Sequence, residues 1–309
     1  MQINALRYFV HIAMTGSFIA TARRFAVPQS TVSRQIAALE ESVGQRLLFR
    51  HTRAVRLTET GERYYAEVRE ALDLLDAATE ALADGTDAAL QGLVRVNAPV
   101  ALGRLHIAPL LAEFRRMHPK VSVELMLTDA FVDPIQEGAD ITVRVGRLSD
   151  SSLVGRKLGT QTYLLCASPA YLDRHGTPDT PEDLRTHDCL VYHGQHGGQQ
   201  WFFRRSEETA YRAFQTSGGF RCNNAETLVE AALAGQGIVL FPTWIYQRDT
   251  LKRKRLVPLL TGWHASVEPD PPDITLLFPQ ARLRAKRVQS LADFLVDRIG
   301  SPPYRERVL

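Results

Sequence analysis

The sequence predicts an α/β chain with a mostly α N-terminal module: a winged helix-turn-helix, a long helix, then a two-lobed α/β domain. Three observations predict it. Residues 16–58 hold two short helical stretches, a tight turn and an arginine-rich hairpin candidate. Tyr65, Val68, Leu72, Leu75, Thr79 and Leu82 recur at spacings of 3, 4, 3, 4 and 3. From Leu93 onward, apolar strand-like runs alternate with helical ones.

The N-terminal elements follow from local pattern. A first helix over about Asn4–Met14 places Ile3, Leu6, Val10 and Ala13 on one stripe. Gly16 is a C-terminal stop, and Ser17 is an N-cap for Phe18–Phe25. The next helix starts at Gln29, just after Pro28, whose missing N–H does no harm there. Its Val32, Ile36, Leu39 and Val43 fall in one narrow arc and must face a core. Leu6, Phe9, Val10, Phe18, Ala22 and Phe25 are expected to share that core. Ser30, Ser33, Arg34 and Ala37 lie on the opposite side. Short side chains with one long donor suit a helix entering a major groove about 12 Å wide. The competing reading, a small-residue face packed on another helix, fits the surrounding charge less well. Arg50-His51-Thr52-Arg53-Ala54-Val55-Arg56-Leu57-Thr58 then reads as a basic wing.

The formal charge of the whole chain is +3, which hides an asymmetry. Residues 1–66 carry nine Arg, no Lys and four acids, hence +5, while the rest holds 28 bases against 30 acids, hence −2. Positive charge gathered at one end is the electrostatic footprint of a phosphate binder. An all-arginine set favours bidentate contacts over point-charge attraction.

Thr58 caps the long helix, with Glu59 in its first turn. The 3-4 spacing gives a seam of Tyr65, Val68, Leu72, Leu75 and Leu82, read as a dimerisation face, with Ala71 and Ala78 beside it. The alternative is an amphipathic helix packed on its own domain. Asp84-Gly85-Thr86-Asp87 ends the helix, and residues 85–92 read as a linker. The domain plan is therefore 1–58, 59–90 and 91–300. The last divides into lobe I (about 91–160 and 268–300) and lobe II (about 161–267). Candidate strands are Leu93–Ala98, Val121–Thr128, Asp140–Val145, Tyr163–Ala167, Gly237–Phe241, Leu256–Leu259 and Asp273–Phe278. Candidate helices are Arg104–Met117, Val132–Glu137, Pro181–Arg185, Ala225–Ala234, Trp244–Leu251 and Leu283–Arg298. The alternation implies parallel sheet covered by helices, with crossovers near Arg156–Thr162 and Leu260–Pro272.

Several function classes are disfavoured. Walker, G-x-G-x-x-G and G-x-S-x-G motifs are absent, so no catalytic constellation supports an enzyme and no cofactor is expected. A solute-binding transport protein would need a signal peptide and no basic module; the chain shows a basic module and no signal peptide, so the expected location is the cytoplasm, with no membrane partner. His193-Gly194-Gln195-His196 lacks a third metal ligand, and Lys252-Arg253-Lys254-Arg255 reads as a helix end. Cys166, Cys189 and Cys222 show no CxxC spacing and read as structural thiols, with a thiol-responsive role for Cys222 as the alternative to a small-molecule effector.

The motifs resemble the LysR-type transcriptional regulators, in the subgroup of local, effector-responsive regulators. The resemblance rests on Ala22-Arg23-Arg24-Phe25, Gln29 through Ile36, Leu39-Glu40, Gly44, Leu47 through Arg50 and Leu57 through Gly61. It continues through His118-Pro119, Glu137 through Asp140, Arg144-Val145-Gly146, Ala167 through Leu172 and Ala234 through Ile238. It spans residues 1–300, with Phe25, Thr31 and Phe241-Pro242 as conservative departures. The resemblance implies a periplasmic-binding-protein-like effector domain. It implies homodimers through the long helix, assembled as homotetramers. It implies base contacts from Gln29, Ser33 and Arg34, with Ser30, Arg50, Arg53 and Arg56 on phosphate or in the minor groove of promoter DNA. A small molecule between the lobes would alter DNA bending and RNA polymerase recruitment.

In open α/β sheets, ligands sit beyond the carboxyl ends of strands, near helix N-termini. That rule selects Val100, Ala101 and Leu102 within Pro99–Gly103, then Asp129 and Phe131, then Arg144. From lobe II it adds Trp201, Asn223 and Asn224, beside Phe203, Cys222 and Pro242. Arg144 suits a ligand carboxylate, and the competing partners for it are Asp140 and Asp150.

Overall fold

The computed structural model describes residues 2–51, 54–82, 90–130, 138–146, 153–193, 200–279 and 285–299. Of the sequence expectations, Arg53, Phe131, Asp150, the helix 132–137, the linker up to residue 89, the loop 194–199 and the side chains of Arg50 and Leu82 lie outside the described residues. The chain divides into two compact units, Met1–Ala88 with Ala281–Lys286, and Ala89–Gln280 with Arg287–Leu309.

In the first unit, α1 (Ile3–Thr15), α2 (Phe18–Arg24) and α3 (Gln29–Val43) precede the wing strands β1 (Leu48–His51) and β2 (Ala54–Leu57). The wing is antiparallel, with Phe49 opposite Arg56 and Arg50 opposite Val55. Then comes α4 (Glu59–Leu82), so the long helix shares a compact unit with the short ones. Ser17 caps α2, its hydroxyl accepting the Ala20 N–H at 3.1 Å. Ser17→Ala is expected to lower the stability of this unit by about 1 kcal/mol in thermal denaturation. A loss well under about 0.5 kcal/mol would mean that water replaces the cap.

The buried face of α1 is Ala5, Tyr8, Phe9 and Ile12; the expected stripe is corrected, with Ile3 exposed and Leu6 and Val10 only half-buried. Apolar residues cover most of this helix's circumference, so spacing alone admits two arcs. Packing selects the aromatic one: Tyr8 meets Phe25 edge-on at 5.0 Å, and Phe9 meets Tyr64 of α4 at 5.7 Å. Arg7 forms an ion pair with Asp76 further along α4. Through Arg7 and Phe9, α1 therefore meets α4 at both Asp76 and Tyr64. Tyr64, Val68, Leu72 and Asp76 are spaced by four and form the α4 stripe on that side.

This corrects the expected dimer seam. Val68 and Leu72 are already buried in the single chain, and Tyr65 packs on the helix-turn-helix core. Leu75 stays exposed, as do Ala71 and Ala78. The sequence period identified an apolar face, but the chain itself covers half of it.

The second unit opens with lobe I. It comprises β3 (Gly92–Ala98), α5 (Val100–Leu102), a π-helical turn at Gly103–Ile107, α6 (Ala108–Met117), β4 (Val121–Leu127), β5 (Ile141–Val145) and β6 (Leu153–Thr160). At Gly103 a Cβ would lie 2.2 Å from Leu127 Cδ2, so a larger residue there would require the Leu127 side chain to move. Lobe II follows with β7 (Tyr163–Ala167), α7 (Pro169–His175), β8 (Val191–Tyr192), β9 (Gln200–Arg204), β10 (Arg212–Gln215) and β11 (Arg221–Cys222). It continues with α8 (Ala225–Leu233), β12 (Val239–Pro242), a 3-10 turn at Thr243–Ile245, α9 (Arg248–Lys252), β13 (Val257–Leu259) and β14 (His264–Ser266). The chain returns to lobe I as β15 (Asp273–Pro279) and α10 (Lys286–Ile299).

Lobe I holds a five-stranded sheet of order β4-β3-β5-β15-β6. β3 is parallel to β4 and β5, whereas β15 is antiparallel to β5 and β6. The all-parallel expectation is therefore corrected to a mixed sheet: β15 enters from lobe II and runs the other way. Lobe II pairs β7 antiparallel with β12 and β13, and β9 antiparallel with β10 and β14. Both expected crossovers shorten. Residues 156–160 belong to edge strand β6, where glycines and charges break the apolar alternation, and His264–Ser266 is β14. What remains is residues 161–162 and 267–272, tied by the Gln161 N–H donating to the Pro272 carbonyl at 2.9 Å. The Trp244–Leu251 helix resolves into the 3-10 turn and α9.

Lobe I closes over Val94, Val96, Ile141, Val143, Leu276 and Phe278, all buried, with Leu111 and Phe114 of α6 and Leu291 and Leu295 of α10. The spacing of Val288, Leu291, Leu295 and Ile299 gives α10 its single buried face.

Candidate functional site

Two sites arise, one in each unit. On α3, Val32, Ile36 and Leu39 are buried to 2% exposure or less. The opposite face is open: Gln29, Ser30, Arg34 and Ala37 are exposed and Ser33 is half-buried. Gly44 ends the helix in the left-handed region at φ 67°. The Glu40 carboxylate then accepts the Leu47 and Leu48 N–H groups at 2.9 and 3.1 Å, which anchors the wing to the end of α3. Arg56 of β2 is exposed. Together these elements form an outward face of short side chains and guanidinium groups on a rigid three-helix core, which can lie in a groove and grip phosphate.

The second site is a cavity of about 160 Å³ within the second unit, walled by both lobes. Lobe I contributes Asn97–Pro99, Ala101, Thr128–Ala130 and Thr142–Val145. Lobe II contributes aromatic surface from Tyr163, Tyr192, Trp201, Phe241 and Trp244. Gln161, at the crossover, lies between them.

Of the sequence-selected residues, Ala101, Asp129, Arg144, Trp201 and Pro242 meet at this cavity. Val100, Leu102, Phe203, Cys222, Asn223 and Asn224 do not line it, so the structure does not bring them to the cavity as expected. Leu102 and Phe203 are core residues with no exposure. The Asn224 side chain caps α8, its Oδ1 accepting the Thr227 N–H at 2.9 Å. Val100 acts through its backbone: its N–H donates to Asp129 Oδ1 at 2.9 Å. The backbone N–H at the strand end that the rule assigned to a ligand therefore donates to a carboxylate of the protein.

Sequence reasoning missed Thr142, Gln161, Tyr163, Tyr192 and Trp244. A hydroxyl inside the apolar run of β5 was a usable signal for Thr142, whereas nothing local marks Gln161 or Trp244.

Electrostatics follow from burial. Desolvation raises the Asp129 carboxyl above its ordinary range; the Val100 N–H opposes this, and the Glu226 charge adds to it. Burial lowers the Arg144 guanidinium. The Tyr192 phenol is pushed up to about 12, first by burial, then by the charges of Asp129 and Cys222. The lobes are also latched from the π-helical turn. His106 Nε2 donates to the Trp244 carbonyl at 2.9 Å, and Arg104 Nε donates to Glu226 at 3.2 Å. Among the described residues no His/Cys/Asp/Glu cluster could hold a metal, and no helix is long and apolar enough to cross a membrane.

Comparison with known proteins assigns each unit to a family. Residues 3–62 match the family described as bacterial regulatory helix-turn-helix protein, lysR family, and residues 87–300 match the LysR substrate binding domain. The chain is 34% identical over 294 residues to the Escherichia coli (strain K12) uncharacterized HTH-type transcriptional regulator YhjC, covering 95% of this chain and 96% of that one. It is similar to the full-length structure of the Vibrio cholerae virulence activator AphB, with 31% identity, TM-score 0.59 and coverage of 96% and 99%. It is also similar to the structure of CrgA from Neisseria meningitidis, with 30% identity, TM-score 0.60 and coverage of 96% and 98%.

Proposed function

The chain belongs to the LysR family of bacterial helix-turn-helix transcriptional regulators, and from that premise we propose that it binds promoter DNA through α3 and the wing under the control of a small molecule held between its lobes. The family is one of regulators, not enzymes. One observation carries the proposal: α3 presents exposed Gln29, Ser30 and Arg34 on the face opposite a fully buried Val32-Ile36-Leu39 stripe. In this reading Gln29, Ser33 and Arg34 read bases, while Ser30, Arg50, Arg53 and Arg56 hold phosphate or enter the minor groove. The protein acts in the cytoplasm as a homodimer, assembled further into a tetramer, with Ala71, Leu75 and Ala78 on the shared face of α4. The ligand shifts DNA bending and, through it, RNA polymerase recruitment.

The thiol-responsive alternative rests on Cys222 alone. Cys166 and Cys189 are buried, their thiols pushed up to about 12 by burial, which leaves Cys222 as the one thiol with surface access.

Titration of the full chain onto the DNA upstream of its own gene, at several salt concentrations, tests the reading. The expected result is a preference of roughly 10³-fold or more over random duplex. Log affinity should fall with log salt at a slope of about −4 or steeper, at about −0.9 per phosphate. Equal affinity for both duplexes would remove the basis for promoter recognition.

A further inference from the structure

Two oppositely charged side chains face the interlobe cavity without meeting each other. Asp129 follows the end of β4 and Arg144 belongs to β5; both are half-buried and line the cavity from lobe I. β4 and β5 flank β3 in the sheet, so one strand end stands between the two groups. Among the described residues, Asp129 makes one hydrogen bond, from the Val100 N–H at 2.9 Å, and no ion pair. The charge that acts on its carboxyl, that of Glu226, is of like sign. A half-buried carboxylate in that setting is stabilised by a cation brought in from outside.

Arg144 has a partner within the protein. A guanidinium carries five N–H donors, so one internal contact fixes its place and still lets it fork onto a carboxylate. Among the described lining residues these two carry the only formal charges. Lobe II faces them with aromatic surface from Tyr163, Tyr192, Trp201 and Phe241. Burial and the Asp129 charge keep the Tyr192 phenol protonated, so that wall adds no charge of its own.

We infer that the effector is a zwitterion with a single aromatic ring, of the amino-acid class: Asp129 takes its ammonium, Arg144 takes its carboxylate, and lobe II covers its ring. The inference rests on the reading of this cavity as the effector site. Both charged anchors belong to lobe I and the aromatic wall to lobe II, so a molecule with a charged head and an apolar body bridges the lobes. An amine or an acid engages one anchor alone. The volume of about 160 Å³ is close to the ~150 Å³ that admits one benzene ring, and the aromatic side chains of lobe II are the surface on which such a ring packs.

Phenylalanine, phenylethylamine and phenylpropionate share one ring and carry, respectively, both charges, the ammonium alone and the carboxylate alone. Calorimetric titration of each into the full chain should show phenylalanine binding tighter than either by roughly tenfold or more, the worth of one charged hydrogen-bonded group. Asp129→Asn, checked for an intact melting transition, keeps an oxygen for the Val100 N–H while removing the charge. It should weaken phenylalanine and phenylethylamine by a similar factor and leave phenylpropionate unchanged. Equal losses on all three probes would make Asp129 a structural residue and overturn the inference. Either single-charge probe matching phenylalanine overturns it too, in favour of Arg144 alone if phenylpropionate leads and of Asp129 alone if phenylethylamine does. So does an absence of binding by all three. Promoter affinity measured with each probe separates this from the reading beneath it. Phenylpropionate that leads and shifts promoter affinity sinks the zwitterion and keeps the effector site. Phenylalanine that binds as expected without shifting promoter affinity supports the zwitterion and sinks the effector role.

Discussion

Replacing Arg34 with alanine is expected to weaken promoter binding by about 1–3 kcal/mol, or roughly 5- to 150-fold, and to relax base preference at one position. The reason is positional. Arg34 is exposed on α3, four residues after the Ser30 of the same open face and two residues from buried Val32 and Ile36 on either side. A rigid core therefore aims a long planar donor outward between short side chains. A guanidinium held that way pairs with the two acceptors of a guanine edge, and alanine cannot. Affinities measured on a set of single-base operator variants decide the matter. If the loss were the same on every sequence, and the salt slope fell by about one, Arg34 would be a phosphate contact and the base reading would pass to Gln29 and Ser33.

The second large effect separates two leucines one turn apart on α4. Leu72 is 8% exposed within the single chain, while Leu75 is 44% exposed. Leu72→Glu should therefore unfold the N-terminal unit. It forfeits about 2–5 kcal/mol of packing against its surroundings and must also desolvate a carboxylate. Leu75→Glu should change the stability of the unit by only about 0.5 kcal/mol and instead separate the dimer, because it sets two like charges on the shared face. Denaturant melts combined with sedimentation resolve the pair. A Leu75→Glu protein that stays dimeric would move the interface off Ala71, Leu75 and Ala78. A Leu72→Glu protein that folds normally would mean that its burial carries little energy.

Much of this was legible in the amino-acid order, for a consistent reason. The Val32-Ile36-Leu39 stripe, the Ser17 cap and the Thr58 start of α4 depend on residues within one or two turns of each other. Side-chain spacing reports such relations directly: the Ser17 hydroxyl meets the Ala20 N–H, and the Thr58 hydroxyl meets the Gly61 N–H at 2.9 Å. The strand-end rule also reached Asp129 and Arg144, because it depends only on where strands stop. It failed for Asn224 because a helix cap and a ligand contact draw on the same residue type at the same place.

The remainder was decided between distant segments. Spacing on α1 allows either an Ile3-Leu6-Val10 arc or an Ala5-Phe9-Ile12 arc, and the neighbouring Phe25 and Tyr64 rings choose the second. The 3-4 repeat of α4 marks an apolar face without saying which chain covers it. Thr142, Gln161 and Trp244 lie on three segments distant in sequence, so no local pattern announces that they line one cavity. By itself, then, the order of residues determined a DNA-reading module, a long helix and a ligand-binding α/β domain, since periodicity and capping are short-range properties of the backbone. Only the tertiary structure decided which faces are already covered, that Asp129 accepts the Val100 N–H at the strand end, and which distant residues line the cavity. Those outcomes depend on burial and on charge pairing, which exist only once distant parts of the chain are brought together.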